Sequence, residues 1–168
     1  MTGVPDARGP RQELDGVDRQ IVAELQRNGR ITTQALAMVA GISEVTARRR
    51  LRKLQADGTV QVAAGVDPFQ VGVSSPALVG IKVQRAHLHK VAQRLAAHPN
   101  VRYVAASTGT FHLYAEVMAS SNDELGRVLL DEIGTIEGVI DTETALILRI
   151  YKQPWDWTIP GVAEAAAS

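Results

Sequence analysis

The sequence predicts an α+β protein in two parts, an N-terminal helix-turn-helix domain of winged-helix type and a C-terminal ferredoxin-like βαββαβ domain. Three observations predict this. Apolar residues recur at helical spacing in three short runs before Gly58. From Ala77 the pattern becomes strand–helix–strand and then repeats. Charge divides along the same line: residues 1–66 hold ten Lys and Arg against seven Asp and Glu, and residues 67–168 hold eight against eleven, within a formal net charge of zero.

Residues 1–13, rich in Gly, Pro and charge, are expected to be a disordered tail. The first domain spans residues 14–66. Asp15 is a suitable N-cap for a helix that carries Val17, Ile21, Val22 and Leu25 on one face and stops at Asn28-Gly29. A second helix over residues 33–40 places Leu36, Val39 and Ala40 on one side, and Gly41 supplies the tight turn. Ser43 caps a third helix that runs to Asp57, with Gly58 as its stop. In that helix Ala47, Leu51 and Leu54 form the buried stripe, so Val45, Thr46, Arg49, Arg52 and Lys53 point away from it. Arg48 lies on the flank. Arg50 falls near the core side and is expected to pair with an acid of the first helix such as Asp18. Val60, Val62 and Ala64 alternate over residues 60–66, which reads as a strand and gives the domain its winged character.

Residues 67–76 contain two prolines, Gly72 and two serines and read as a linker. The second domain, residues 77–152, opens with a strand over 78–83, a helix over 88–97 burying Leu88, Val91, Ala92 and Leu95, and a strand over 101–107. The repeat is a strand over 111–118, a helix over 122–133 burying Leu125, Val128, Leu129 and Ile133, and a strand over 139–150. Ser121 and Glu124 have capping-box spacing, and Thr108-Gly109-Thr110 joins the two middle strands as a hairpin. Residues 153–168 form a C-terminal tail whose Trp155 and Trp157 are expected to cover an apolar surface or a subunit contact.

Composition narrows the function. The chain is 168 residues long, 45% hydrophobic and 21% charged, which is ordinary for a globular protein. There are no cysteines, which removes disulfides, thiolate nucleophiles and Cys-ligated metals. No apolar run reaches the roughly 20 residues that span a bilayer, and the N-terminus does not read as a secretory signal. A cytoplasmic protein without membrane contact is expected. His87 and His89 are spaced too closely to meet on a helix, and no His/Asp cluster has metal-ligand spacing. No nucleophile elbow, phosphate-cradling Gly-rich loop or dinucleotide fingerprint is present. No metal, no cofactor and no catalytic residue are therefore expected.

Two candidate sites remain. Arg48, Arg49, Arg50, Arg52 and Lys53 sit within six positions of the third helix. Arg reaches both phosphates and base edges, so a helix of this composition, framed by two preceding helices and a turn, fits the major groove of double-stranded DNA. The residues expected to meet DNA are Ser43, Val45, Thr46, Arg48, Arg49, Arg52 and Lys53. The second candidate is the hairpin Thr108, Gly109, Thr110, Phe111 and His112 together with Thr142, Glu143 and Thr144 of the last strand. Such a set offers donors to a carboxylate and an acceptor to an ammonium, although an ordinary hairpin beside a polar strand end would look the same.

The chain resembles the Lrp/AsnC, or feast/famine, regulators. Leu14-Asp15-Gly16-Val17-Asp18-Arg19-Gln20-Ile21, Leu25-Gln26-Arg27-Asn28-Gly29-Arg30 and Gly41-Ile42-Ser43 with Thr46, Arg49, Arg50, Leu51 and Leu54 carry the resemblance in the first domain. Thr108-Gly109, Gly138-Val139 and Thr142-Glu143-Thr144 carry it in the second. The resemblance implies DNA binding by the first domain and dimerisation by the second, with further assembly to tetramers or octamers. It also implies a small-molecule effector, an amino acid or related metabolite, bound near the hairpin and the last strand. One departure stands out. Members of the family usually carry Gly-Asp-Phe/Tyr-Asp at the hairpin, where this chain has Gly109-Thr110-Phe111-His112. Both acids are gone, so the effector is expected to differ from the usual amino acids or to be absent, and His112 to contact it or shape its pocket. Two alternatives share the scaffold: a sirohaem-decarboxylase-like enzyme, and a metabolite sensor without DNA binding. The concentration of basic residues on the third helix favours DNA.

Overall fold

Asp15, Thr32 and Ser43 each place a side-chain oxygen where it accepts the backbone N–H three residues on, and each of them starts a helix. In the computed structural model, which describes residues 13–152, these helices are α1 (Gly16–Arg27), α2 (Thr33–Val39) and α3 (Glu44–Ala56). Gly41, between α2 and α3, has φ +62°, a left-handed conformation that side chains with a Cβ resist. Ile21, Val22, Leu36 and Leu54 form the centre of a small core, with Leu14, Val17, Leu25, Ile31, Ile42, Leu51 and Val60 packed around it. Ala37 rather than Val39 joins Leu36 inside; Val39 ends its helix and is exposed.

The strand expected over residues 60–66 does not form. The Val60 N–H bonds back to the Leu54 carbonyl at 2.9 Å, and the Val60 side chain packs onto the three-helix core. A strand needs a ladder partner for its backbone groups, and among the described residues of this unit there is none.

The chain divides near residue 66, and the second unit has its own core. A 3-10 turn (Pro68–Val71) follows, and Ser75 and Pro76 are buried. The Ser75 N–H donates to the Ala119 carbonyl at 2.9 Å, and the Pro76 carbonyl accepts from Ile147 N–H at 2.9 Å. The end of the expected linker is therefore docked to the second unit. Next come β1 (Ala77–Val83), a 3-10 turn (Arg85–His87), α4 (Leu88–Ala96), β2 (Val101–Ala106) and β3 (Leu113–Val117). Then α5 (Asn122–Arg127) continues as a π-helical turn (Val128–Ile133), and β4 (Val139–Leu146) closes the sheet. The order is β2-β3-β1-β4 with every neighbouring pair antiparallel. That is the ferredoxin-like arrangement of the βαββαβ pattern.

Alternation along the strands decides the faces. Ala77, Val79, Ile81 and Val83 of β1 and Leu113, Ala115 and Val117 of β3 are buried in one cluster with Val91 and Leu95 of α4 and with Leu125, Val128 and Ile133. On the other face, Leu78 and Tyr103 remain 39% and 55% exposed. The strands are shorter than expected at their ends: Ser107, Phe111, His112 and residues 147–150 lie outside them. Residues 1–12 and the tryptophans at 155 and 157 lie outside the described residues.

Candidate nucleic-acid interface and effector region

α3 is built to be held firmly on one side and left open on the other. Its stripe of Ala47, Leu51 and Leu54 faces the core. Ser43 caps it, accepting from Thr46 N–H at 3.2 Å, and the Ser43 and Thr46 hydroxyls lie 2.9 Å apart. Arg50 reaches back to α1: its Nη1 donates to Asp15 Oδ2 at 2.5 Å and to Asp18 Oδ1 at 2.9 Å. Asp15 is also the α1 cap, its Oδ1 accepting from Asp18 N–H at 2.8 Å. The Asp18 N–H and then the Arg50 guanidinium hold the Asp15 carboxyl below the ordinary carboxylate range. The expected partner Asp18 is thus joined by Asp15, a residue whose local sequence marks it only as a cap.

Val45, Arg48, Arg49 and Arg52 fall at helical spacing on the outward side of α3, and all are exposed. Arg48 is engaged, its Nη2 donating to Glu44 Oε1 at 2.5 Å. Arg49 and Lys53 border a surface groove of about 390 Å³ that also has Glu13, Asp15, Asp18 and Arg50 on its walls. Thr46 is half-buried, its hydroxyl committed to the cap.

In the second unit the hairpin is pinned from three sides. Ser107 N–H donates to the His112 carbonyl at 3.0 Å and its Oγ to the Phe111 carbonyl at 2.7 Å. His112 N–H donates to the Ile81 carbonyl at 3.0 Å, and His112 Nδ1 accepts from Val83 N–H at 3.1 Å. An accepting Nδ1 carries no proton, so His112 uses one nitrogen to hold the hairpin against β1 and keeps only Nε2 for anything else. Thr108, Gly109 and Thr110 form the exposed tip, with Gly109 at φ +112°.

The Phe111 ring packs against Gly80, so closely that a Cβ there would sit 2.7 Å from it. Tyr114 meets the ring edge-on at 5.8 Å between centroids, and Lys82 Nζ stands 5.6 Å from the ring centre while paired with Asp141 at 2.9 Å. Gly80 is opposite Glu143 in β4, so Glu143 shares the face of the Phe111 ring. Thr142 and Thr144 are opposite Ile81 and Val79 and share the other face. The structure therefore brings Glu143 to the hairpin side of the sheet and directs Thr142 and Thr144 away from it. Sequence reasoning missed Gly80 and Lys82. A glycine inside a run of Val and Ile was the available signal, since it marks a close approach.

Comparison with known proteins agrees with both units. Residues 14–55 match the AsnC-type helix-turn-helix domain and residues 76–155 the Lrp/AsnC ligand binding domain. The HTH-type transcriptional regulator FL11 of Pyrococcus horikoshii is 31% identical over 144 residues, 85% of this chain and 95% of its own. The chain belongs to the Lrp/AsnC family. This Lrp/AsnC protein is a DNA-binding transcription regulator that responds to a ligand. The crystal structure of the Mycobacterium tuberculosis leucine response regulatory protein LrpA superposes with a TM-score of 0.77 at 30% identity, covering 83% of this chain and 96% of that one. A Neisseria meningitidis transcriptional regulator in complex with L-Met gives 0.74 at 26% identity, over 84% and 94% of the two chains. Among the described residues of this Lrp/AsnC chain, no helix is long and apolar enough to cross a membrane, and no group of three His, Asp or Glu side chains could hold a metal ion.

Proposed function

We propose that this regulator reads double-stranded DNA with α3, using Val45, Arg48, Arg49, Arg52 and Lys53 on its exposed side and Ser43 and Thr46 at its capped end. The observation that carries this is the outward stripe Val45, Arg48, Arg49, Arg52 on a helix whose remaining arginine, Arg50, is tied to Asp15 and Asp18. The same helix thus separates Arg50, which braces the domain, from the outward Arg49 and Arg52, which are placed for phosphate, with Arg48 shared with Glu44. Arg49→Ala tests it in a gel shift with the protein's own upstream DNA. Affinity should fall about fivefold or more with the loss of a charge-assisted phosphate contact. Oligomer size should not change. Unaltered affinity would remove α3 from the interface.

For the effector, the proposed site is the hairpin Thr108, Gly109, Thr110, Phe111 and His112, with Glu143 on the same face of the sheet, opposite the Gly80 that the Phe111 ring covers. The ligand class is an amino acid or related metabolite, the class to which the L-Met of the Neisseria structure belongs. Glu143 offers a carboxylate for an ammonium group in a hairpin that lacks acids of its own. The orientation of Thr142 and Thr144 weakens their part in the site. A calorimetric amino-acid screen decides the matter: identical binding by the native chain and by Glu143→Gln and His112→Ala would rule these residues out. The sheet face bearing Leu78 and Tyr103 is the proposed contact with a second copy of the chain, which light scattering tests. The protein acts in the cytoplasm as a regulator rather than as an enzyme, and the purified chain should carry no haem-like absorption band.

A further inference from the structure

The first turn of α3 presents two exposed side chains that are not phosphate binders, Glu44 at the first helical position and Val45 at the second. Val45 is 77% exposed and packs in neither core cluster. The apolar group that bases offer in the major groove is the C5-methyl of thymine. Glu44 is less expected. A carboxylate at the end of a DNA-reading helix is repelled by phosphate, which opposes binding to every sequence alike. Its pair with Arg48 leaves the two side chains 46% and 54% exposed, so the pair adds little stability. What the 2.5 Å contact does is hold the Glu44 carboxylate on the outward side, one turn ahead of Arg48.

In the major groove a carboxylate can accept only from the exocyclic amines of cytosine and adenine. Adenine places its N7 acceptor beside the amine, where it repels a carboxylate; cytosine carries no such acceptor on its own edge. We propose that Glu44 is a specificity-determining residue that accepts from cytosine N4, with Val45 packed on a neighbouring thymine methyl. This rests on the reading of α3 as the DNA-contacting helix. Arg49 and Arg52 supply the phosphate attraction that offsets the added negative charge, so Glu44 lowers non-specific affinity and sharpens choice of site.

Binding-site selection from randomised duplexes tests this, run on the full chain and on Glu44→Gln, Glu44→Ala, Arg48→Ala and Arg49→Ala, each first matched to the native chain by thermal melting. The native protein should demand cytosine at a defined position of the site. Glu44→Gln should convert that demand to adenine, whose N6 and N7 fit a carboxamide. Glu44→Ala should relax discrimination there about tenfold or more and raise affinity for unselected DNA. An unchanged base preference in both Glu44 variants overturns the proposal. Arg48→Ala should relax the demand for cytosine less than Glu44→Ala does, because the carboxylate stays on the helix; a larger loss than that of Glu44→Ala would make Arg48 the reader and overturns the proposal too. Arg49→Ala isolates the underlying reading. If it weakens binding to all sequences while the Glu44 variants select native sites, the proposal alone falls; if it leaves affinity intact, the assignment of α3 falls with it.

Discussion

Asp15 does two jobs with two oxygens. One caps α1 through Asp18 N–H, and the other takes the Arg50 guanidinium from α3. The start of the first helix and the middle of the third are therefore set by one residue. Glu124 is similarly overcommitted. It accepts from Ser120 Oγ, Ser120 N–H and Asn100 Nδ2, and these bonds lower its pKa from 4.5 to about 2. The capping box expected from Ser121 and Glu124 forms only by half: Ser121 caps the helix, but the carboxylate reaches Ser120 instead. Because the folded pKa is depressed, this carboxylate stabilises the fold above pH 4.5, and its contribution is lost as pH falls through about 2. Urea melts between pH 7 and pH 2 should show the native chain losing stability across that window. Glu124→Gln should be less stable at pH 7 and flatter toward acid; parallel curves would show that other carboxylates dominate.

At the scale of elements, close approaches govern the second unit. Gly138 precedes β4 with φ +97°, and a Cβ there would sit 2.3 Å from His87 Cβ. Strain in the backbone and overlap with the α4 entrance act together. Gly138→Ala should cost about 2–4 kcal/mol in chemical denaturation. A loss under about 0.5 kcal/mol would mean that the turn relaxes freely. The hairpin shows the same control by packing. Phe111 and His112 were expected to begin β3, and both leave it, one to cover Gly80 and one to bond Val83 N–H. In the first unit α3 shows the converse, a helix whose bounds, cap and buried stripe follow from local sequence.

Among the described residues of the molecule, two separate clusters carry the packing, one in the helical unit and one between sheet and helices. Leu54 is 2% exposed in the first and Leu95 fully buried in the second. Truncating either to Ala should cost about 2–5 kcal/mol. With separate cores, Leu54→Ala should shift the melting of residues 13–65 and Leu95→Ala that of residues 66–150. Hydrogen exchange read by segment distinguishes this from a single transition in which both variants expose the whole chain equally.

What the sequence by itself determined is whatever depends on near neighbours: the caps Asp15 and Ser43, the stripe of Ala47, Leu51 and Leu54, and the buried faces of the later helices at Val91, Leu95, Leu125 and Val128. The family followed from the order and spacing of short motifs, among them Leu14–Ile21, Gly41-Ile42-Ser43 and Thr142-Glu143-Thr144. Only the tertiary structure decided the rest. It turned Val60 back onto α3 in place of a strand, split Glu143 from Thr142 and Thr144, drew Asp15 to Arg50, and spent one nitrogen of His112 on β1. Those outcomes depend on which backbone or charge arrives from far along the chain. Helix caps and side-chain periods act within a few residues and carry no record of that partner.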